Sequence, residues 1–195
     1  ALEKGLVDVL TGGISRSAQD YVCRRLRVMG TGQSVKALAA LLTAEKTSHI
    51  ARCALERMPN RKAVTALRDA LPKVSSTLKP GIIGSLGIRR DKKSTAPIAK
   101  LLSDADVNIA RAAAHALGLI GTSAAAKKLS SFAKQAPAQV QISVCDACLL
   151  CAEQLLADGE KAEAIALYKD LRGEGQPKQV KMAAMKGMLT AASKK

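Results

Sequence analysis

Apolar residues recur along this chain at two regular intervals, and the recurrence predicts its architecture. Four leucines lie at successive spacings of 29, 31 and 31 residues: Leu26, Leu55, Leu86 and Leu117. Each is followed twelve positions later by another apolar residue, at Leu38, Leu67, Ile98 and Leu129, and Leu155 and Leu167 repeat that step. Recurrence at this period is typical of stacked supersecondary units, each with an apolar face that only its neighbours can cover.

Each repeating unit is predicted to be a pair of antiparallel helices. The first helices are expected near residues 2–10, 33–43, 61–71, 93–103, 123–134 and 160–172, and the second helices near 16–29, 47–58, 77–89, 106–120, 137–157 and 177–192. The predicted fold class is therefore all-α, an α-α superhelix or solenoid of about six helical hairpins. We expect one such domain over residues 1–195, and the chain could be a fragment of a longer protein.

Helix ends are marked by residues that cap or interrupt helices. Glycines are expected to close helices in the left-handed conformation at three positions: Gly30, Gly121 and Gly159. Asp104 or Asp106 is expected to cap the helix that leads into Ile109. Pro97 lies early in a first helix, where its ring should make the helix start late or bend.

The segment GIIGSLG in the third unit departs from this regular pattern. Its glycines, Gly81, Gly84 and Gly87, each weaken a helix by about 0.8–1 kcal/mol relative to alanine. Two interpretations stay open: a close-packed or flexible joint, or a locally poor helix that its neighbours hold in place. Elsewhere the apolar residues are mostly Ala, Leu, Val, Ile and Met, and the near absence of aromatic residues argues against a sheet-rich fold.

The segment IARAAAHALGLIG (residues 109–121), preceded by LLSDADVN, resembles the second helix of a HEAT-like repeat of the type found in phycobilisome-lyase-related proteins. The matching residues are Asp104, Asp106, Ile109, Arg111, Ala113, Leu117 and Gly118. Pro97 is also similar to a proline often seen in the first helix of HEAT units. The resemblance is best over residues 93–134. It implies an α-superhelix and a binding role, and no particular lyase activity, since such repeats occur in many unrelated proteins.

No arrangement of residues in the sequence indicates catalysis or metal binding. His49 and His115 lie in helical patterns, and neither belongs to an HExxH motif or to a recognisable nucleophile–base pair. The segment CDACLLC (145–151) lacks the fourth ligand that an iron–sulfur run requires. We interpret all five cysteines as reduced core residues: Cys23, Cys53, Cys145, Cys148 and Cys151. The sequence therefore predicts no catalytic residue, no metal and no cofactor.

The net charge is +15, and the excess lies in residues 1–140, which hold 23 Lys and Arg against 9 Asp and Glu. A surface of this kind attracts polyanions or acidic proteins. Several arginines avoid the apolar stripe of their second helices and are expected to form a positive stripe on the inner surface, together with basic residues from the turns. The predicted partner-binding residues are Arg24, Arg27, Arg52, Arg89, Arg90, Lys92, Lys93 and Arg111.

These features predict a non-enzymatic scaffold or interaction module that binds an acidic protein or peptide. The alternative is a non-specific binder of the nucleic-acid backbone, because recognition of bases relies on aromatic stacking and the chain has few aromatic residues. No small-molecule substrate is evident. No membrane interaction is predicted, since no apolar run approaches the ~18 residues of a span. We expect a cytoplasmic protein, with a periplasmic or secreted location left open.

Overall fold

The structure, a computed structural model, describes residues 1–193 and contains only helices and turns over that range. Its α-helices, in chain order, are α1 (Leu2–Thr11), α2 (Arg16–Met29), α3 (Val35–Ala40), α4 (Glu45–Arg57), α5 (Arg61–Ala70), α6 (Lys79–Ile88), α7 (Thr95–Lys100), α8 (Val107–Ile120), α9 (Ser123–Ala133), α10 (Ala138–Ala157), α11 (Lys161–Asp170) and α12 (Lys178–Ser193). Two 3₁₀ turns, Lys92–Ser94 and Leu101–Ser103, flank α7. The predicted all-α fold of six hairpins is confirmed, and the predicted helix ends are correct to within a few residues.

The chain divides into two compact units, Ala1–Arg89 and Arg90–Lys195. In unit 1, the first helices α1, α3 and α5 pack against one another in order, and the second helices α2, α4 and α6 do the same. Each first helix also contacts the second helix of its own hairpin. Unit 1 is therefore a two-layered stack of three hairpins, which is the arrangement that the period of thirty residues predicts.

Unit 2 repeats the same two-layered plan within itself. Its first helices α7, α9 and α11 pack in order, and so do its second helices α8, α10 and α12. The longest helix, α10, contacts four others: α8, α9, α11 and α12. The prediction that the whole chain forms a single domain stays a prediction.

The recurring apolar residues are the interior of these stacks. All ten positions that the periodicity singled out are buried: Leu26, Leu38, Leu55, Leu67, Leu86, Ile98, Leu117, Leu129, Leu155 and Leu167. Burying one leucine side chain contributes about 1.5–3 kcal/mol, so the repeated anchors are a large part of what holds each stack together.

Helix caps follow the sequence at two of the three glycines. Gly121 ends α8 in the left-handed region, with φ 59° and ψ 46°, and Gly159 follows α10 with φ 88°. Gly30 does not, because its φ of −68° and ψ of 141° are extended, and that prediction is wrong. The physical reason for glycine there is space: a Cβ atom on Gly30 would lie 2.4 Å from the carbonyl oxygen of Leu26.

The proline and aspartate signals behave as expected. Pro97 is the third residue of α7, and the preceding residues form a 3₁₀ turn, so the α-helix starts late. Asp106 caps α8, and its Oδ1 accepts a hydrogen bond of 2.8 Å from the backbone N–H of Asn108.

One helix, α10, is long and apolar enough to cross a membrane by length and composition alone. On that criterion the expectation that no apolar run approaches a span is wrong, because Asp146 and Glu153 interrupt the segment too sparsely to exclude it. In the structure α10 is the central helix of unit 2, and 44% of its most apolar window is buried. The prediction of no membrane interaction stays a prediction.

Candidate partner-binding surfaces

Two neighbouring second helices of unit 1, α2 and α4, enclose a groove of about 170 Å³. The α2–α4 groove is lined by Asp20, Cys23, Arg24, Arg27, His49, Ile50, Cys53 and Ala54. Both of the α2 arginines predicted from sequence therefore border the same concave feature. The amphipathic pattern of α2 explains this placement, since Val22, Cys23 and Leu26 turn into the core and the arginines turn outward.

The two arginines of the groove remain available to solvent. Nη2 of Arg24 lies 2.7 Å from Oδ2 of Asp20 one helical turn away, yet the Arg24 side chain is 75% exposed. An exposed pair of this kind contributes only about 0.3–0.5 kcal/mol, so a partner carboxylate can replace it. Arg27 is exposed and has no ion-pair partner among residues 1–193.

Arg25, which the sequence analysis did not select, stacks on an aromatic ring beside the groove arginines. Its guanidinium carbon lies 5.1 Å from the centroid of the Tyr21 ring, and its Nε donates a hydrogen bond of 3.2 Å to the Tyr21 hydroxyl. The signal was present in the sequence as a tyrosine and an arginine four residues apart on one helix, a spacing that brings side chains together.

Arg52, in contrast, is largely enclosed in a polar network between α4 and α6. Its Nη1 donates to Oγ of Ser85 at 2.8 Å and to Oε2 of Glu56 at 3.2 Å. The Ser85 hydroxyl in turn donates to the same Glu56 oxygen at 2.7 Å. Gly81 makes room for this arrangement, because a Cβ atom there would lie 3.0 Å from Nε of Arg52. The network gives the buried hydroxyl of Ser85 both a hydrogen-bond donor and an acceptor. The Arg52 side chain is only 17% exposed.

Arg89 is bound to the backbone at the end of α4. Its Nη1 donates to the carbonyl oxygens of Leu55, Glu56 and Met58, at 3.3, 3.0 and 2.5 Å, and its Nη2 donates to that of Asn60 at 3.2 Å. Carbonyl groups at a helix C-terminus lack helical partners, and a cation there also complements the helix dipole. The contacts of Arg89 are thus those of a helix cap.

In unit 2, Arg90 forms a bidentate ion pair with Asp158. Its Nη1 and Nη2 lie 3.1 and 2.5 Å from the two carboxylate oxygens, and its Nε lies 3.4 Å from the carbonyl oxygen of Ile120. The hydrogen bonds from Arg90 lower the pKa of Asp158 below its ordinary value. The pair links the end of α8 to the end of α10 and neutralises the Arg90 charge.

The remaining predicted residues of unit 2 are exposed. Lys92 and Lys93 lie in the 3₁₀ turn before α7. Lys92 borders a groove of about 660 Å³ that it shares with Arg90, Asp158 and Glu160. Nη2 of Arg111 donates a hydrogen bond of 2.7 Å to the carbonyl oxygen of Gln139. The structure therefore brings Arg24 and Arg27 together in unit 1 and Arg90 and Lys92 together in unit 2.

The cysteine and histidine side chains give no sign of a reactive centre. Burial raises the pKa of the Cys23 thiol to about 11 and that of the Cys151 thiol to about 12, and it also raises the pKa values of Cys145 and Cys148. A raised pKa disfavours the thiolate, which is the form that acts as nucleophile and metal ligand, so burial makes these four thiols less reactive. Residues 1–193 contain no cluster of three or more potential metal ligands.

His49 and Cys53 lie near each other in the α2–α4 groove, with 3.8 Å between Nε2 and Sγ. Nη2 of Arg52 lies 3.0 Å from Nδ1 of His49, and because arginine can only donate, Nδ1 must be the acceptor. The proton of the neutral imidazole is then on Nε2, facing the thiol. His49 therefore offers Cys53 a donor rather than a base, and the pair lacks the group that nucleophilic catalysis requires.

Comparison with known proteins agrees with this geometry. The family profile "HEAT repeats" matches residues 64–147. A designed armadillo repeat protein superposes with a TM-score of 0.56 and 17% identity, covering 98% of this chain and 100% of its own. An engineered protein gives a TM-score of 0.56 and 18% identity, covering 99% of this chain and 97% of its own. No curated protein sequence matches the chain.

A natural protein is also similar in fold. The complex of CpcE and CpcF of phycocyanin lyase from Nostoc sp. PCC7120 contains a chain with a TM-score of 0.58 and 21% identity, covering 96% of this chain and 87% of its own. The resemblance to HEAT-repeat proteins predicted from sequence is confirmed. The fold is of the armadillo and HEAT class, whose members are typically protein-interaction scaffolds.

Proposed function

We propose that this protein is a non-enzymatic interaction module that binds an acidic segment of a partner protein in the α2–α4 groove of unit 1. The observation that carries the proposal is the exposed arginine pair, Arg24 and Arg27, on the rim of a groove. Arginine binds carboxylates through two parallel hydrogen bonds, which gives direction as well as charge. Unit 1 holds fifteen Lys and Arg against six Asp and Glu, a net charge of +9, which would steer such a partner toward it.

The eight predicted basic residues take different parts in this proposal. Arg24 and Arg27 contact the partner directly. Arg52 and Arg89 are positioning residues, since their hydrogen bonds join α4 to α6 and to the turn after α4. In unit 2, Lys92 and Lys93 offer exposed charges for a second contact, whereas Arg90 and Arg111 act through Asp158 and the backbone of Gln139.

The absence of a base at Cys53 supports a binding role over a catalytic one. The groove arginines can orient a carboxylate, whereas His49, which accepts from Arg52, directs its N–H and not a free base toward the thiol. A partner held there would be bound and not transformed.

A nucleic-acid backbone is the second candidate ligand, since phosphates attract arginine as carboxylates do. The aromatic content argues against it. The aromatic residues of the chain are Tyr21, Phe132 and Tyr168; Phe132 and Tyr168 are buried, and Arg25 covers the ring of Tyr21. Tyr21 is 56% exposed, so this one ring, over which Arg25 already lies, is what a base would find to stack on.

Fluorescence anisotropy tests the proposal. The probe is a fluorescein-labelled peptide of alternating glutamate and serine, titrated with the full chain at physiological salt. We expect Arg24→Glu with Arg27→Glu to weaken binding about tenfold, because two rim attractions become repulsions. The matched control is Lys4→Glu with Lys100→Glu, which changes net charge equally at two exposed residues outside the groove.

Two results would contradict the proposal. Equal weakening by both double variants would show that only the net charge matters. Tighter binding of labelled duplex DNA than of the peptide, with a steep dependence on salt, would support the nucleic-acid alternative.

A further inference from the structure

The first helices of unit 1 enclose a second and larger groove on the other layer of the stack. The α3–α5 groove has a volume of about 590 Å³. Its lining combines small residues with a basic rim: Gly32, Val35, Lys36, Ala39, Thr43, Arg61, Lys62, Thr65, Ala66, Asp69, Ala70 and Lys73. The basic surface predicted from sequence lies on second helices and in the turns between units, whereas this groove lies between two first helices.

The rim of the α3–α5 groove is strongly positive. Lys36, Arg61, Lys62 and Lys73 are all exposed, and none has an ion-pair partner among the described residues of the chain. Asp69 is the one acidic side chain in the lining. Four cations around one concave surface raise the local concentration of anions and focus the field into the groove.

Several side chains that line the groove are small, which leaves room for the backbone of a bound peptide. Ala39 of α3 and Ala66 of α5 both line the groove, and so do Gly32 and Ala70. A Cβ atom on Gly32 would lie 3.0 Å from Nδ2 of Asn60, so this end of the floor is already closely packed. Small side chains allow a bound chain to lie deep between the two helices, within reach of the rim cations.

The positions of the cations set the length of the occupant. Arg61 and Lys62 begin α5, and Lys73 follows its end. The ten residues of α5 span roughly 15 Å at about 1.5 Å of rise per residue. An extended chain covers about 3.3 Å per residue, so about five residues reach from one cationic end to the other. An occupant with carboxylates at both ends of such a stretch complements the groove.

We infer that the α3–α5 groove binds a short, extended, acidic segment of a partner protein. Its carboxylates pair with Arg61 and Lys62 at one end and with Lys73 at the other, while small residues between them lie against Ala39 and Ala66. Lys36 flanks the middle of the segment. A peptide fits this surface better than a nucleic acid, since the lining has no aromatic ring for a base. The inference does not depend on the α2–α4 groove.

The test uses the full chain and the fluorescein-labelled hexapeptide Glu-Glu-Ala-Ala-Glu-Glu, with Gln-Gln-Ala-Ala-Gln-Gln as the control peptide. We expect Lys62→Glu with Lys73→Glu to weaken binding about tenfold, and Ala66→Leu, which fills the floor without changing charge, to weaken it about fivefold or more. Lys4→Glu with Lys100→Glu has the same net charge as the first variant, changes two exposed residues outside both grooves, and should change binding by less than about twofold. Thermal unfolding of each variant confirms that it is folded.

Backbone amide chemical shifts locate the peptide directly. Changes centred on residues 35–40 and 61–73 support the inference. Changes centred on residues 20–27 and 49–54 overturn it and support the α2–α4 groove instead. Wild-type binding by Ala66→Leu also overturns it, because a segment seated between the helices cannot tolerate the filled floor. Displacement of the peptide by duplex DNA, with shifts in the same groove, would assign the site to nucleic acid and likewise overturn it.

Discussion

Second helices pack against their neighbours inside each unit, and the means differ between unit 1 and unit 2. In unit 1, α4 and α6 meet through a polar network of Arg52, Glu56 and Ser85. In unit 2, α8 and α10 meet through small apolar residues, and a Cβ atom on Gly118 would lie 2.8 Å from the carbonyl oxygen of Ala147. One repeat fold thus accommodates a hydrogen-bonded interface and a close-packed one.

The comparison explains why a count of arginines is a poor guide to a binding surface. Arg52 and Arg89 lie on the second-helix layer of unit 1, as the sequence predicted. Their N–H groups, however, donate hydrogen bonds to other groups of the chain itself. In unit 2 the α8–α10 interface is close-packed at Gly118, and Arg111 donates across it to the backbone of Gln139 at the start of α10. Charges that remain for a partner are those that packing does not use, and in unit 1 these include Arg24 and Arg27.

Loss of a buried leucine should destabilise the close-packed interface of unit 2 most. Leu117→Ala should lower the free energy of unfolding by about 2–5 kcal/mol, because Leu117 is completely buried and the interior cannot collapse around the cavity. Arg111→Ala, on the exposed face of the same helix, should cost less than about 1 kcal/mol. Urea denaturation of both variants measures the difference. Equal losses would mean that the buried face of α8 contributes no more than its exposed face.

A smaller loss is expected in the polar interface of unit 1. Arg89→Ala should destabilise the chain by about 1–3 kcal/mol, since carbonyl groups at the end of α4 lose their donor. Arg24→Ala on the exposed rim is the matched control and should change stability by less than about 0.5 kcal/mol. The same urea titration applies. If Arg24→Ala is as costly as Arg89→Ala, the distinction between rim and capping arginines does not hold.

Two glycines of α6 differ in the space around them. Gly84→Ala should raise stability by about 0.5–1 kcal/mol, because a Cβ atom there would meet nothing within 4 Å and alanine favours the helix. Gly81→Ala should lose that gain, since the new methyl group would press on the Arg52 guanidinium and its network. Thermal unfolding midpoints rank the two variants. A gain at both positions would show that Arg52 moves aside without cost.

The smallest effect concerns the Arg90–Asp158 pair of unit 2. The folded pKa of Asp158 is lowered, so the stability from this pair is present above the ordinary value of 3.8 and is lost as the pH falls through the folded pKa. Carboxyl carbon shifts measured by NMR should show Asp158 titrating below 3.8 in the native chain and close to that value in Arg90→Gln. An unchanged titration in the variant would exclude Arg90 as the cause.

Most of the fold could be predicted from the sequence. The helix pairs, the buried anchors and the cap at Asp106 follow from local periodicity and turn chemistry, which act within a few residues. Gly30 shows where such reasoning fails: its glycine is required by a close backbone approach and not by a left-handed turn. The GIIGSLG segment forms a helix whose buried residues include Ile82 and Leu86, and Gly81 lies close to the Arg52 side chain, as a close-packed joint would require. The interpretation as a locally poor helix stays a prediction.

The candidate binding sites were harder to predict from the sequence than the fold was. Arg24 and Arg27 were selected because they avoid the apolar stripe of α2, and that reasoning is local. The α3–α5 groove brings Lys36 together with Lys62 and Lys73, which belong to a different hairpin. No spacing within one helix reveals such a meeting, because it depends on which helices become neighbours in a stack.

The sequence is enough to predict the helical hairpins, the layer to which each helix belongs and the positive charge of unit 1. Those properties arise from the positions of apolar residues along single helices and from composition. The tertiary structure alone decided which cations remain exposed, because an arginine that meets a serine, a carbonyl group or an aspartate across a helix interface is held there by hydrogen bonds. Side chains that meet no such partner across the stack are left to face solvent.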